Sequence, residues 1–77
     1  SNSIIIFYNV DANKLNIICN VSKSLPENSK IDASHIISKI CEEIGGAGGG
    51  QRYYASGSGP KNAKIETIIK TVTKNLL

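Results

Sequence analysis

A block of glycines constrains this chain more than any other feature. Five of its seven glycines fall between Gly45 and Gly50, and the other two are Gly57 and Gly59. Glycine loses more backbone freedom on folding than any other residue, so a cluster of them needs a reason. The reasons available are a left-handed backbone angle, or close approach by another backbone, a phosphate or a base. Between the two glycine groups lies Q-R-Y-Y-A-S, residues 51–56, which has strand chemistry.

The flanking segments say what the block connects. Residues 3–9, S-I-I-I-F-Y-N, are apolar on both faces and predict an interior strand. Asp11, Ala12, Asn13 and Lys14 form a turn cluster. Residues 15–21 alternate: Leu15, Ile17, Cys19 and Val21 face one way, Asn16, Ile18 and Asn20 the other. That is a strand with one buried face, joined to the first as a hairpin with a loop longer than two residues. Residues 22–30 are a polar loop holding Pro26.

Asp32 then reads as an N-cap, with Ala33, Ile36, Ile37, Ile40, Cys41 and Ile44 on one helical stripe and Gly45 as the residue that ends the helix. Residues 51–56 predict a third strand, with Arg52, Tyr54 and Ser56 on one face and Tyr53 and Ala55 on the other. Residues 57–60 predict a turn, with Pro60 at the first position of a last helix whose stripe is Ile65, Ile68, Ile69, Val72 and Leu76. The expectation is one α/β (α+β) domain over residues 1–77. Its order is strand, strand, helix, strand, helix, with a small mixed sheet and helices packed on it. The absence of methionine and the Ser1-Asn2 start read as an excised C-terminal fragment.

Composition removes several function classes. No apolar run approaches the ~20 residues of a membrane span, and residues 4–8 are too short for a signal-peptide core. Cys19 and Cys41 sit inside apolar-periodic segments and read as buried free thiols, which fits a cytosolic protein. One histidine and two cysteines cannot build a four-ligand zinc site. His35 lies in a helical first turn and reads as a neutral surface residue.

The net charge of +3, from 9 Lys and Arg against 6 Asp and Glu, permits nucleic-acid binding without requiring it. The glycine block runs from helix to strand, the reverse of a phosphate loop, and lacks the Lys-Ser/Thr ending. Glu42 and Glu43 are adjacent and diverge on a helix, and Cys41 and His35 are not at a same-face spacing. No catalytic residue and no metal ligand set is read in this chain. The block is then either a tight connection against another backbone or a surface that lets RNA come close.

Gly45-Gly46, variable Ala47, Gly48-Gly49-Gly50, then Ala55, Gly57, Gly59 and the helix after Pro60 resemble the DHH-associated domain that closes alanyl-tRNA synthetases. The resemblance follows element order over most of the chain, and its specific core is residues 44–59. Where that family commonly has arginine after the triple glycine, this chain has Gln51, with Arg52 one position later. Ser56 and Ser58 stand where glutamine and a further glycine are common. Related domains of DHH phosphoesterases carry a histidine after the glycines. None follows Gly50 here, which favours the synthetase type.

The resemblance implies an auxiliary tRNA-binding domain that helps position alanine-accepting tRNA, at its outer elbow, for aminoacylation and editing. The parent enzyme would be an ATP-dependent alanine–tRNA ligase using magnesium and zinc, with its catalytic and editing sites elsewhere in the same chain. The expected RNA-binding residues are Gly48, Gly49, Gly50, Gln51, Arg52, Tyr54, Ser56, Lys61 and Lys64. A protein-interaction or homodimer module, and the substrate-clamping domain of a DHH phosphoesterase, remain as alternatives.

Overall fold

The computed structural model describes residues 4–22 and 31–76. The chain runs β1 (Ile4–Asp11), β2 (Lys14–Val21), α1 (Ala33–Ile44), β3 (Ala47–Gly50), β4 (Tyr54–Pro60) and α2 (Ile65–Leu76). The four strands form one sheet in the order β1-β2-β4-β3, antiparallel at every pairing. The α+β class and the helices packed on the sheet are as the sequence predicts; the sheet is antiparallel rather than mixed. The predicted polar loop lies, from residue 23 to 30, outside the described residues.

β1 and β2 form a hairpin around Ala12 and Asn13, with Asp11 opposite Lys14, so the loop is shorter than expected. Ala12 takes the left-handed angle (φ 56°) that such tight turns demand. β2 is the bulky half of the core. Leu15, Ile17 and Cys19 are fully buried and Val21 nearly so. Their alternation with Asn16, Ile18 and Asn20 is the period of a strand with one covered face.

α1 covers that face. Asp32 caps it, accepting from the Ser34 and His35 amides at 2.8 and 3.3 Å. Gly45 ends it in the left-handed region (φ 71°), and the Gly46 N–H donates back to the Cys41 carbonyl at 2.8 Å. The buried residues of α1 are those of the predicted stripe. Each isoleucine among them contributes roughly 1.5–3 kcal/mol by leaving water.

Three sequence expectations need correction. β1 is an edge strand, not an interior one. Its second face is apolar but uncovered, which imitates an interior strand in sequence. The third strand does not span residues 51–56. The glycines themselves form β3, residues 51–53 turn the chain, and β4 continues through Gly57, Ser58 and Gly59 to Pro60. The reason is packing: a Cβ on Gly57 would lie 2.5 Å from Cys41 Sγ, and one on Gly59 would lie 3.0 Å from Ile44 Cδ1. These glycines are extended backbone lying beneath α1, not turn residues. Pro60 therefore closes a strand. α2 begins later, after Asn62 Oδ1 accepts from the Lys64 amide at 2.8 Å.

α2 packs against α1 through Ile65 and Val72, with Ile68 and Ile69 partly buried. Tyr8 Oη also donates to Glu66 Oε1 at 2.7 Å, tying α2 to β1. That hydrogen bond to a carboxylate raises the Tyr8 pKa above its ordinary value.

Both thiols are free and buried. Burial first, and then the charge of Asp32, pushes Cys19 up to about 11 from an ordinary value of 9.0. The folded thiol thus keeps its proton where an unfolded one releases it. Stability from this group is complete below pH 9.0 and falls as the pH rises towards about 11. Urea unfolding should show that loss, and Cys19→Ala should flatten it over the same interval. At the helix–sheet contact, Gly57→Ala should lower the unfolding free energy by about 1–3 kcal/mol. Cys41→Ala in the same chain should recover part of that loss, because it removes the sulfur that the new methyl meets. A double-mutant cycle in urea checks this.

Candidate nucleic-acid interface

With both helices on one side, no described element covers the sheet's other face. Register fixes which residues meet there. One row runs Ile5, Asn20, Tyr54; the next runs Phe7, Ile18, Ser56, Gly49; a third runs Asn9, Asn16, Ser58, Ala47. The apolar members are strongly exposed for their size: Phe7 61%, Tyr54 50%, Ile5 47% and Ile18 37%. The face mixes rings, aliphatic side chains, amides and hydroxyls.

The residues expected from the sequence to meet RNA divide among several places. Gly49, Tyr54 and Ser56 lie on the open face, with Gly49 directly opposite Ser56. Gly48 and Gly50 belong to the other face. A Cβ on Gly48 would meet Gly57 Cα at 2.5 Å and Ile37 Cγ2 at 2.9 Å, and one on Gly50 would meet Ala55 Cα at 2.6 Å.

Gln51 is exposed in the β3–β4 turn, where its N–H donates to the Tyr54 carbonyl at 2.7 Å. Arg52 is half-buried in that turn and does not share a strand face with Tyr54 and Ser56. Its carbonyl accepts from Ala33 N at 2.8 Å, and its guanidinium carbon stands 5.8 Å from the Tyr53 ring centroid, at the outer range of a cation–π contact.

Lys61 lies at the opposite end of β4, its N–H donating to the Asn13 carbonyl in the β1–β2 turn at 2.9 Å. Lys64 is on the helix side. With His35, Lys39, Thr67 and Thr71 it lines a groove of ≈ 540 Å³ between α1 and α2, and Glu43 sits there too. The sequence reading placed Ile18 on the outward face of β2 but missed Ile5 and Phe7 as surface residues, and it named none of the three as an RNA-binding candidate. The signal was present: Ile18 stands between two asparagines on the outward face of β2, and Phe7 is its cross-strand partner.

The residues of the glycine pattern thus occupy two faces of one β3–β4 hairpin, capped by α1. The DHHA1 domain family matches residues 1–76 of this chain. The chain belongs to the DHHA1 family. It is 33% identical to the alanine–tRNA ligase of Thermotoga petrophila over 73 residues, 95% of this chain and 8% of the ligase. The ligase of Flavobacterium psychrophilum is 30% identical over 69 residues, 90% of this chain and 8% of that protein. The chain therefore spans about one twelfth of the length of these curated relatives.

In three dimensions this DHHA1 domain is similar to the C-Ala domain from Aquifex aeolicus alanyl-tRNA synthetase. The TM-score is 0.81 at 25% identity, covering 95% of this chain and 64% of that one. The sequence resemblance is thereby borne out at the level of family and fold. Among the described residues, no group of three or more His, Cys, Asp or Glu could hold a metal ion, and no helix is long and apolar enough to cross a membrane.

Proposed function

We propose that this DHHA1 domain is the C-terminal globular piece of an alanyl-tRNA synthetase and that it binds tRNA. The observation that carries this reading is the match to the C-Ala domain of such a synthetase along 95% of the chain. The net charge of +3 and an open face free of carboxylates across its three central rows are compatible with a polyanion.

The domain's role is to hold alanine-accepting tRNA, at its elbow, while the catalytic and editing domains of the same cytoplasmic parent act on the acceptor end. In this reading Gln51, Tyr54, Ser56 and Gly49 border the RNA. Lys61 and Arg52 supply positive charge at the two ends of β4. Gly48 and Gly50 keep β3 flat against β4, and Lys64 adds only longer-range attraction. The ATP, magnesium and zinc of such a parent belong, in this reading, to its other domains, and no chemical step is assigned to this chain.

The purified chain, titrated with tRNA for alanine and with an unrelated stem-loop as competitor, tests the reading. It should prefer the folded tRNA. Its affinity should fall about tenfold between 50 and 200 mM salt, as expected for about two phosphate contacts. Lys61→Ala should reduce the log–log salt slope by about one contact's worth and leave melting unchanged. Equal affinity for the unrelated stem-loop would overturn the assignment to tRNA.

A further inference from the structure

Six of the seven glycines are required by the fold itself. Gly45 has a left-handed backbone, and a Cβ on Gly46, Gly48, Gly50, Gly57 or Gly59 would come within 3.0 Å of a neighbouring atom. Gly49 is the exception. Nothing lies within 4 Å of its would-be Cβ, and its backbone is not left-handed. An edge-strand position of this kind accepts almost any side chain, and glycine there weakens the strand. Nothing among the described residues requires glycine at 49, and its bare backbone leaves room for close approach from outside.

What approaches can be read from the surface around it. Gly49 ends the row Phe7, Ile18, Ser56 on the open face. Phe7 and Tyr54 are the two exposed rings on that face. They stand on strands separated by β2, about 10 Å apart across the sheet, and one row apart along it. That spacing gives each ring its own flat neighbour.

Between the rings lie amides and hydroxyls, Asn20 and Ser56 in the same rows and Asn16 in the next. A protein helix covering this face would bury those groups without partners, at a cost for each. Nucleobases would not, because their faces stack on rings while their edges take hydrogen bonds from amides and hydroxyls. The charges agree. The first carboxylate, Asp11, comes at the end of the sheet, opposite Lys14, with Lys61 beside that turn; Arg52 lies at the other end. An uncharged stacking surface bounded by cations suits bases in the middle and phosphates at the margins.

We propose that the uncovered sheet face is a base-stacking platform. Unpaired or splayed bases of a folded RNA stack on Phe7 and Tyr54, and Gly49 leaves the space through which the ribose-phosphate chain passes over β3. This rests on the reading that the chain binds RNA, and it assigns the recognition to the sheet rather than to the glycine block as a whole.

The test measures affinity for the alanine tRNA, the salt slope, the melting temperature and the mass in light scattering for wild type, Phe7→Leu, Tyr54→Leu and Gly49→Val. Each leucine variant should bind about 10-fold more weakly, with the salt slope and melting temperature unchanged, because a stacking partner and not a phosphate contact is lost. Gly49→Val should also weaken binding about 10-fold while melting at or above the wild-type temperature, since valine suits an edge strand. Wild-type affinity in all three variants, with Lys61→Ala still lowering the salt slope, would overturn the platform and leave tRNA binding standing. Loss of a wild-type dimer in Phe7→Leu with RNA affinity intact would overturn it in favour of a protein partner. Failure of the wild-type chain to bind any RNA would overturn both readings.

Discussion

The seating of α1 directly on the backbones of β3 and β4 is the contact on which the rest of this domain depends. Ile37 Cγ2 would be 2.9 Å from a Cβ at Gly48 and 3.0 Å from one at Gly57, and Cys41 Sγ still closer to the latter. The helix fills the volume that Gly48, Gly57 and Gly59 leave vacant in two strands, while β2 fills the remainder with Leu15, Ile17 and Cys19. A domain of 77 residues has little interior to distribute. Here the largest fully buried side chains all come from β2 and α1, with α2 and the inward face of β1 adding partly buried ones, and β3 contributing only backbone. Enlarging Gly48, Gly57 or Gly59 pushes on a helix whose far end is fixed by the Gly45–Gly46 closure and whose near end is fixed by Asp32.

That arrangement also decides which surface is left for a partner. Both helices lie on the side where the glycines are bare, so among the described residues nothing covers the opposite side of the sheet. β1 is then an edge strand that shows Ile5 and Phe7 to solvent, which is ordinarily a liability for aggregation. The asparagines and serines interleaved with those side chains make the surface amphipathic rather than greasy. A face that retains exposed rings in this setting is better explained by a flat, polar-edged ligand than by packing within the chain.

How much of this was legible in the sequence follows from how local each signal is. α1 was readable from end to end, since Asp32, the isoleucine stripe and Gly45 each act within a turn or two. β2 was readable because its alternation is local as well. β3 was not, because glycine carries no strand signature. Its extended form is imposed by pairing with β4 and by Ile37 above it, contacts that no window of the sequence contains. The same error displaced β4. Gln51 and Arg52 were expected in the strand but form the turn, so the expected trio of Arg52, Tyr54 and Ser56 separates into one turn residue and two face residues. The edge position of β1 was hidden for a different reason. Outward apolar residues look, in sequence, like inward ones kept for a core. The glycine pattern identified the family, but not which glycine the fold could spare.

The two faces are chemically separate, yet one turn joins them. The Arg52 carbonyl accepts the Ala33 amide at the start of α1, and the Tyr53 carbonyl accepts the Val21 amide at the end of β2, both at close to ideal distance. One residue later the chain presents Tyr54 to the open face, with Gln51 N–H holding its carbonyl. The backbone that carries Tyr54 is thus held by the same turn whose Arg52 carbonyl anchors the start of α1. A ligand that moves Tyr54 must work against the anchoring of α1. The exposed ring therefore stands on a hydrogen-bonded turn rather than on a free loop, which is the condition for a stacking residue to be pre-organised before its partner arrives.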